Sequence, residues 1–416
     1  MTQSTSARLA TDRQEHPAAY TPSAPDFAIG LLTGGQDRSY ALGLTTALAR
    51  RGVRINVIGS DELDAPEMHS TRNVSFLNLR GSMRPDASMR IKVGRLLRYY
   101  TKLMHHVATS EATIVHILWN NKFEWFDRTV LMFYYKLLGK RVVLTTHNVN
   151  AGRRDANDSA LNRATLKVQY RLADHIFVHT QLMKRELHGG FGVREKRISV
   201  IPFGINRTVP DTDLSGEEAR RRLGIGITEK VMLFFGKIGP YKGLEFLVRA
   251  FQDGGQRFAD YRLIIAGEPK KGQEDYWRRI ADAIDSDPSG KRVVQRIGFV
   301  PDADTELYFK AADVLVLPYT EIFQSGVLFL AYGFGLPVIA TNVGSFGEDV
   351  VEGQTGFLCR ARDSGDLAAS IERYFGSELF RCLPNRRPAI RNYASLRHSW
   401  DLVGQMTRSV YAELLG

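Results

Sequence analysis

A loop rich in glycine and lysine, at residues 235–243, could bind phosphate groups. It follows an apolar run and precedes an amphipathic stretch, so it joins a predicted strand to a predicted helix. Glycine permits tight turns that bring backbone amides close to an anion, and a helix N-terminus attracts negative charge. Lys237 and Lys242 add two cations to this loop. The pattern predicts a diphosphate site, although a surface loop with two solvated lysines would have the same sequence.

A second loop, residues 318–327, also leads from a predicted strand into a predicted helix. The backbone amides of Ser325, Gly326 and Val327 open that helix and are predicted to point at a phosphate. Glu321 lies where a carboxylate can accept hydrogen bonds from sugar hydroxyls. Helix capping, with favourable placement in the helix dipole, is the alternative interpretation of Glu321.

A third loop, Ala-Gly-Glu-Pro at residues 266–269, also follows a predicted strand. Ligands of parallel sheets bind at the carboxyl ends of the strands. The three loops are therefore predicted to converge on one crevice.

The elements that must position these loops are short apolar runs alternating with amphipathic stretches, which is typical of parallel sheets covered by helices. In the first half the predicted strands are residues 27–32, 54–58, 74–78, 113–118, 142–146 and 175–179. In the second half they are residues 198–202, leading in, and then 231–235, 262–266, 293–297, 314–317 and 337–340. This pattern predicts an α/β protein with two Rossmann-like domains facing across a cleft.

Composition agrees with two domains, because 416 residues are too many for one ordinary core. The excess of 56 Lys and Arg over 45 Asp and Glu favours polyanionic partners. Two cysteines, Cys359 and Cys382, exclude a disulfide framework and a zinc cluster, and a cytoplasmic location is expected. Residues 322–347 carry no charge, but glycines and Pro337 interrupt them, so buried core is expected rather than a membrane span.

Further motifs resemble those of the retaining family 4 glycosyltransferases, which have the GT-B fold. The similar segments are residues 198–206, 235–243, 265–267, 298–300, 311–313, 331–337 and 343–348, with Gly34-Gly35 and Thr146-His147 in the first half. Residues 398–415 resemble the final helix of the family, which crosses back onto the first domain. The predicted domains are residues 26–204 and 205–397. Residues 1–25 are polar and lack the apolar stretch of a signal peptide, so a disordered tail is expected there.

The resemblance also implies an activity, namely transfer of a hexose from a nucleoside-diphosphate sugar to an acceptor hydroxyl with retention of configuration. Polysaccharide or glycolipid synthesis is the implied role, with a sugar or a lipid-linked saccharide as acceptor. The residues assigned on this basis are His147 and Glu321 as catalytic, Lys237, Lys242, Ser325, Gly326 and Val327 for the donor diphosphate, Gly267, Glu268, Phe299 and Val300 for the nucleotide, and Gly34 and Gly35 on the acceptor side. Residues 148–162 are polar and are expected to close over the acceptor.

The sequence departs from the family pattern at one place. The family has two glutamates eight residues apart, and the corresponding positions here are Ile322 and Leu330. Glu321 could replace the first glutamate with a shift of one residue. The second, which the resemblance would assign to the ribose hydroxyls, is missing.

Neither a metal ion nor a cofactor is predicted. Asp-x-Asp triplets occur at residues 211–213, 285–287 and 302–304, and three occurrences show how unspecific this pattern is. Two lysines and a helix terminus can neutralise the leaving diphosphate instead.

Other functions are also compatible with parts of the sequence. A sugar epimerase or phosphorylase of the same fold, or a relative without activity, is the alternative within this fold. A nucleic-acid-binding protein would explain the positive charge, but the arginines at 220–222 follow Glu217 and Glu218, which favours a solvated helix face. No nucleic-acid partner is predicted.

An amphipathic stretch at residues 89–107 predicts a peripheral position at the inner face of an anionic membrane. Its apolar face, expected to pack on the first sheet, consists of Met89, Val93, Leu96, Leu97, Tyr100, Leu103, Met104 and Val107. Its basic residues would attract anionic lipid, and they are Arg90, Lys92, Arg95, Arg98 and Lys102.

Overall fold

Two parallel sheets, one in each half of the chain, form the framework of the protein. The computed structural model describes residues 27–35, 37–83, 89–154, 158–206 and 208–416, and the predicted tail at 1–25 lies outside them. The first sheet has the order β3-β2-β1-β4-β5-β6-β7. Its strands are β1 Ala28–Leu32, β2 Arg54–Gly59, β3 Val74–Asn78, β4 Ile114–Ile117, β5 Arg141–Thr145, β6 His175–Val178 and β7 Ile198–Val200.

The second sheet has the order β10-β9-β8-β11-β12-β13. Its strands are β8 Lys230–Phe235, β9 Tyr261–Gly267, β10 Val293–Ile297, β11 Val314–Leu317, β12 Val338–Thr341 and β13 Gly356–Cys359. Every residue of β4, β6, β11 and β12 is buried, as expected for strands that helices cover on both faces. The predicted α/β architecture is confirmed.

The helices cover both sheets. In the first half they are α1 Arg38–Ala49, α2 Pro66–Ser70, α3 Met89–Thr109, α4 Glu124–Phe126, α5 Met132–Leu137, α6 Ala151–Arg154, α7 Ala160–Leu172 and α8 Gln181–Phe191. In the second half they are α9 Gly216–Arg222, α10 Leu244–Asp253, α11 Glu274–Asp285, α12 Asp302–Ala311, α13 Gly326–Gly333, α14 Phe346–Asp349, α15 Ser364–Phe375, α16 Glu378–Arg381, α17 Leu383–Arg397 and α18 Trp400–Leu415.

The predicted strands differ from the observed ones at two places. Residues 198–202 were predicted to lead into the second half, although the predicted first domain extends to residue 204, and β7 pairs with β6 and completes the first sheet. Strand β13, which pairs with β12 at the edge of the second sheet, was not predicted. It is a four-residue strand that opens with a glycine, and such a short run carries a weak pattern.

The last helix, α18, packs on the first sheet's side of the molecule. Trp400, Val403 and Tyr411 belong to the core around β1 and β2. The indole Nε1 of Trp400 donates a hydrogen bond to the carbonyl of Ile205, at 2.9 Å. This helix therefore ties the end of the chain to the segment that joins the two sheets, while the domain boundaries at 204/205 and 397/398 stay a prediction.

Helix α3 buries less of its apolar face than predicted. Tyr100, Leu103 and Val107 are buried as expected, but Val93 and Leu97 are 49% and 64% exposed. Both exposed residues lie in the N-terminal half of this 21-residue helix, whereas the buried ones lie toward its C-terminal half.

Residues 322–347 are mostly core, as predicted: they form α13 and β12, whose side chains largely pack inside the second sheet's core. Among the described residues, no helix has both the length and the apolar character needed to cross a bilayer.

Candidate active site

Both sheets reverse their strand order at one point, and the predicted site residues follow the strands near these points. The reversals lie between β1 and β4 and between β8 and β11. Parallel sheets bind ligands outside the carboxyl ends of the strands at such positions. The loops after β8, β9, β10 and β11 carry the predicted donor residues.

Lys242 lies at the meeting point of two of these loops. It ends the short 3₁₀ helix Pro240–Lys242, and its side chain is only 6% exposed. Its ammonium nitrogen lies 4.8 Å from the centre of the Tyr319 ring. A Cβ added to Gly236 would be 3.3 Å from Lys242 Nζ and 3.6 Å from Val327 Cγ2. One enclosed cation therefore lies beside the glycine loop and the first turn of α13.

The loop after β9 is attached to the glycine loop by backbone contacts. A Cβ on Gly267 would lie 2.0 Å from the carbonyl oxygen of Gly236, so this close approach requires glycine. The Ile238 amide donates to the Glu268 carbonyl at 2.8 Å. Lys237 forms an ion pair with the Glu268 carboxylate, and its side chain is 58% exposed. The two predicted phosphate lysines thus occupy different environments, one enclosed and one at the surface.

Helix α13 presents its N-terminus to the same region. Ser325 is buried and precedes the helix, and its hydroxyl lies 3.4 Å from that of Tyr319. Gly326 is exposed, and the Phe203 ring from the segment between the sheets lies 3.6 Å from where its Cβ would be. The amides of Ser325, Gly326 and Val327 open the helix, which is the arrangement that attracts an anion.

A surface cavity of about 380 Å³ lies at the carboxyl end of β10. Phe299, whose side chain is largely exposed, and Val300 line it. The Gly298 amide donates to the Gly267 carbonyl at 3.0 Å, which links this cavity to the loop after β9. The predicted nucleotide residues are therefore adjacent. The lining consists of Gln295, Arg296, Ile297, Gly298, Phe299, Val300, Pro301, Asp304 and Tyr308.

His147 follows β5 and is held by aromatic neighbours. Its ring stacks on Trp119 with centroids 4.3 Å apart, and the Tyr40 ring meets it edge-on at 4.6 Å. His147 Nδ1 lies 3.1 Å from Nε2 of His179, whose Nδ1 lies 3.2 Å from the Ile201 carbonyl oxygen. These contacts determine the proton positions along the pair.

The Ile201 carbonyl can only accept, so Nδ1 of His179 carries a proton and donates it. Burial lowers the pKa of His179 to about 4, so Nε2 is unprotonated at neutral pH and accepts from Nδ1 of His147. Burial, and then the neighbouring His179 and His116, hold the pKa of His147 well below its usual value. Nε2 of His147 therefore carries no proton and can only accept a hydrogen bond. It is buried without a hydrogen-bond partner among the described residues.

Glu321 lines a second cavity, of about 390 Å³, which lies between the two sheets. Its first-sheet wall consists of Asn150, Arg153, Leu182 and Glu186, and its second-sheet wall of Thr320, Glu321, Ile322, Phe323, Val343 and Gly344. Glu321 is exposed to this space. Asn150 and Arg153 belong to the segment predicted to close over the acceptor, whose residues 155–157 lie outside the described part of the chain.

Gly34 and Gly35 follow β1 with φ angles of 60° and 72°. A Cβ on Gly34 would lie 2.7 Å from the Trp119 carbonyl oxygen, so any other residue at this position would clash with that carbonyl. The Gly34 carbonyl accepts a hydrogen bond from Arg80 Nη1 at 2.9 Å. These contacts place the turn beside Trp119, the residue on which His147 stacks.

Leu330 is buried in the core of the second sheet. The position at which the family pattern has its second glutamate therefore carries an apolar packing residue. Among the described residues, no group of three or more His, Cys, Asp or Glu side chains could hold a metal ion.

Sequence reasoning missed several residues of the site. His179 ends a predicted strand, and that position could have identified it. Trp119 and Glu186 carry no local signal, because only the packing of distant segments brings them to His147 or to the cavity.

Two family models match consecutive segments of the chain, and together they cover every strand except β1. Residues 34–209 match "Glycosyltransferase Family 4" and residues 229–376 match "Glycosyl transferases group 1". Each half of the chain thus matches the model of a glycosyltransferase domain. The predicted enzyme class, a glycosyltransferase, is confirmed at the level of these domains.

Relatives and solved structures agree with this assignment. D-inositol 3-phosphate glycosyltransferase of Corynebacterium urealyticum is 26% identical over 249 residues, 58% of this chain and 57% of that protein. The chain thus matches a little over half of that relative's length. Sucrose-phosphate synthase from Thermosynechococcus elongatus has a TM-score of 0.74 at 20% identity, covering 94% of this chain and 99% of its own.

A third similar protein is Anabaena HepE, solved in complex with UDP and glucose. Its TM-score is 0.72 at 18% identity, and the match covers 93% of this chain and 100% of that one. At such identities these structures show the shared fold, and the predicted GT-B glycosyltransferase fold is confirmed.

Proposed function

We propose that this glycosyltransferase moves a sugar from a nucleoside-diphosphate sugar to an acceptor hydroxyl, with retention of anomeric configuration, in polysaccharide or glycolipid synthesis. The observation that carries the proposal is the enclosed Lys242 beside both the glycine loop and the first turn of α13. A lysine and a helix N-terminus together match the charge of a leaving diphosphate.

In this proposal the donor has three parts, namely the diphosphate, the nucleotide and the transferred sugar. The diphosphate lies at Lys242 and the amides of Ser325, Gly326 and Val327. The nucleotide extends toward the cavity at Phe299 and Val300. A uridine nucleotide is the first choice, because a protein of the same fold, HepE, was solved with UDP.

The transferred sugar lies between the sheets. There Glu321, which lines the cavity, accepts hydrogen bonds from sugar hydroxyls. His147 is the proposed catalytic residue on the first-sheet side, with its unprotonated Nε2 as the acceptor atom. When the bond to the diphosphate breaks, negative charge grows on the leaving oxygen, and the positive charge of Lys242 stabilises it.

Turnover of a nucleotide-sugar panel tests the proposal. Incubation with UDP-glucose, UDP-galactose, GDP-mannose and ADP-glucose should release nucleoside diphosphate from at least one of them, slowly with water and faster with a saccharide acceptor. An epimerase would return an isomerised nucleotide sugar without release. A phosphorylase would need inorganic phosphate and a glycan. Failure to bind or turn over any nucleotide sugar would favour a non-catalytic relative.

We also propose that α3 docks on the inner face of an anionic membrane. There the enzyme would reach a lipid-linked saccharide as its acceptor. In the N-terminal half of this helix, the apolar side chains of Ile91, Val93 and Leu97 are 50%, 49% and 64% exposed. Exposed basic residues surround them, namely Arg90, Arg95, Arg98 and Lys102. Apolar side chains among cations favour the interface of an anionic bilayer.

The neighbouring helix extends the exposed apolar surface of this region. Tyr134 of α5 donates a hydrogen bond to the carbonyl of Met104 in α3, at 2.9 Å. On α5, Phe133 and Leu137 are also mostly exposed.

Vesicle co-sedimentation tests this docking. The protein should bind vesicles with 30% anionic lipid at low salt, less at high salt, and hardly at all without anionic lipid. Charge reversal of Arg95, Arg98 and Lys102 to Glu should weaken binding at least about tenfold, since each cation contributes about 1 kcal/mol.

Reversal of three exposed arginines in the second domain, Arg249, Arg278 and Arg279, is the matched control, and it should weaken binding far less. If both triple variants lost vesicle binding equally, the loss would be explained by the change in net charge alone. That result would contradict docking through α3.

A further inference from the structure

In the first-domain wall of the cavity between the sheets, Asn150 and Arg153 belong to the segment predicted to close over the acceptor, whereas Leu182 and Glu186 have no predicted role. Arg153 ends in this space from α6, and Glu186 reaches it from α8. Helix α8 is held firmly at both ends: the Thr180 hydroxyl accepts from the Met183 amide at 3.1 Å, and Gly192 ends the helix in the left-handed conformation. The position of Glu186 is therefore set by a capped helix rather than by a loop.

The charges around this cavity do not balance. Its ionisable lining residues are Arg153, Glu186 and Glu321, so one positive and two negative charges leave a net charge of −1. Arg153 Nη1 lies 3.8 Å from Glu186 Oε1, which is a loose ion pair. The arginine side chain is 68% exposed and the glutamate 21%, so water screens the cation more than the anion.

Burial raises the pKa of the Glu186 carboxyl, Arg153 lowers it, and the opposing Glu321 raises it. The two carboxylates come from opposite walls and line the same cavity. A ligand that enters between them meets two groups that accept hydrogen bonds and repel anions.

We propose that this wall is the acceptor site, and that it selects an uncharged polyhydroxylated acceptor, whose hydroxyls donate to Glu186, over a phosphorylated one. The proposal rests on the glycosyltransferase function proposed above. Hydroxyls of the acceptor donate to Glu186 while those of the transferred sugar donate to Glu321, and the apolar lining residues Leu182, Ile322 and Phe323 suit the C–H face of a sugar ring. A phosphate dianion would lie beside two carboxylates in a partly desolvated space, with one solvated arginine as its counterion.

Paired acceptors test the selection. The full-length protein, with the nucleotide sugar that it turns over fastest, is given glucose, galactose, mannose and myo-inositol, each beside its monophosphate. For at least one pair, kcat/KM for the neutral compound should be about tenfold or more above that for the phosphate. A phosphate used as well as its neutral partner in every pair, or no use of any neutral compound, would overturn the proposal.

Variants of Glu186 test the residue itself. Glu186→Gln should raise the KM for the neutral acceptor about tenfold and change kcat much less. The substitution replaces a charge-assisted hydrogen bond, which forms when the acceptor binds, by a weaker neutral one. Glu186→Lys makes the lining charge +1 and should improve the phosphate relative to its neutral partner. Glu195→Gln, the same change at an exposed position just beyond α8, is the matched control and should leave both values unchanged.

A binding readout separates this proposal from the donor chemistry. Saturation-transfer NMR of the UDP-loaded protein with the same sugar pairs should show stronger binding of the neutral members. If nucleotide sugars are turned over but Glu186→Gln and Glu195→Gln behave alike, the acceptor site is wrong and the proposed function stands. If no nucleotide sugar is bound or turned over, the proposed function fails and the acceptor site fails with it.

Discussion

Removal of the charge at the enclosed Lys242 should lower activity more than removal of the charge at the exposed Lys237. Lys242→Met keeps most of the side-chain volume and removes only the ammonium group. The side chain is 6% exposed, so a bond from this group to a phosphate forms largely away from water. Such a charge-assisted bond contributes about 1.5–3 kcal/mol, which predicts about a tenfold to hundredfold loss in kcat/KM.

Lys237 provides the comparison. Its ammonium is more than half exposed and already paired with Glu268, so Lys237→Met should cost at most about 1 kcal/mol, or about fivefold. The assay is nucleoside-diphosphate release under steady-state conditions, with calorimetric UDP affinity and a thermal melt to show that both variants fold. Full activity of Lys242→Met, or a larger loss in Lys237→Met, would refute the role assigned to the enclosed lysine.

Three further outcomes are expected. Transfer should persist in excess EDTA, because lysines and a helix terminus neutralise the diphosphate; loss of activity that Mn²⁺ restores would contradict this. Glu321→Gln should lower kcat about tenfold and change UDP affinity less than about twofold, since Glu321 is placed at the sugar; the reverse pattern would move it to the nucleotide. The free energy of unfolding in urea should fall as the pH drops from 7 to 5. Buried histidines stay neutral in the folded protein, while the same histidines bind protons below about pH 6.5 in the unfolded chain. Each such histidine lowers the free energy of unfolding by up to about 1.4 kcal/mol per pH unit. Burial lowers the pKa of these groups to about 3 for His116 and about 4 for His175, His179 and His398. An unchanged urea midpoint between pH 7 and 5 would show that these rings are not held neutral.

Strand positions were largely predictable because they depend on local apolar runs. The predicted limits of β3, β10 and β11 equal the observed ones. The sheet to which a strand belongs is a tertiary property, and β7 shows the difference: its residues were identified as a strand but predicted to lead into the second half. The partial exposure of α3 has the same origin, because periodicity identifies an apolar face and cannot show how far the neighbouring layer extends.

The candidate site was predictable where one loop carries the whole signal. The glycine loop with Lys242 and the N-terminus of α13 are such segments, and the structure places them together. The ion pair of Lys237 with Glu268 joins residues 31 positions apart, and the cavity wall of Arg153 and Glu186 joins residues on two helices. No local pattern encodes such pairs, so they required the fold.

In the proposed reaction the sugar leaves a nucleoside diphosphate and forms a glycosidic bond. Proton NMR of a complete reaction, with nucleotide sugar, acceptor and protein, follows every anomeric proton at once. A new glycosidic anomeric signal with the donor's configuration should appear in step with an equal amount of nucleoside diphosphate. An isomerised nucleotide sugar, a sugar 1-phosphate, or a product of inverted configuration would contradict it.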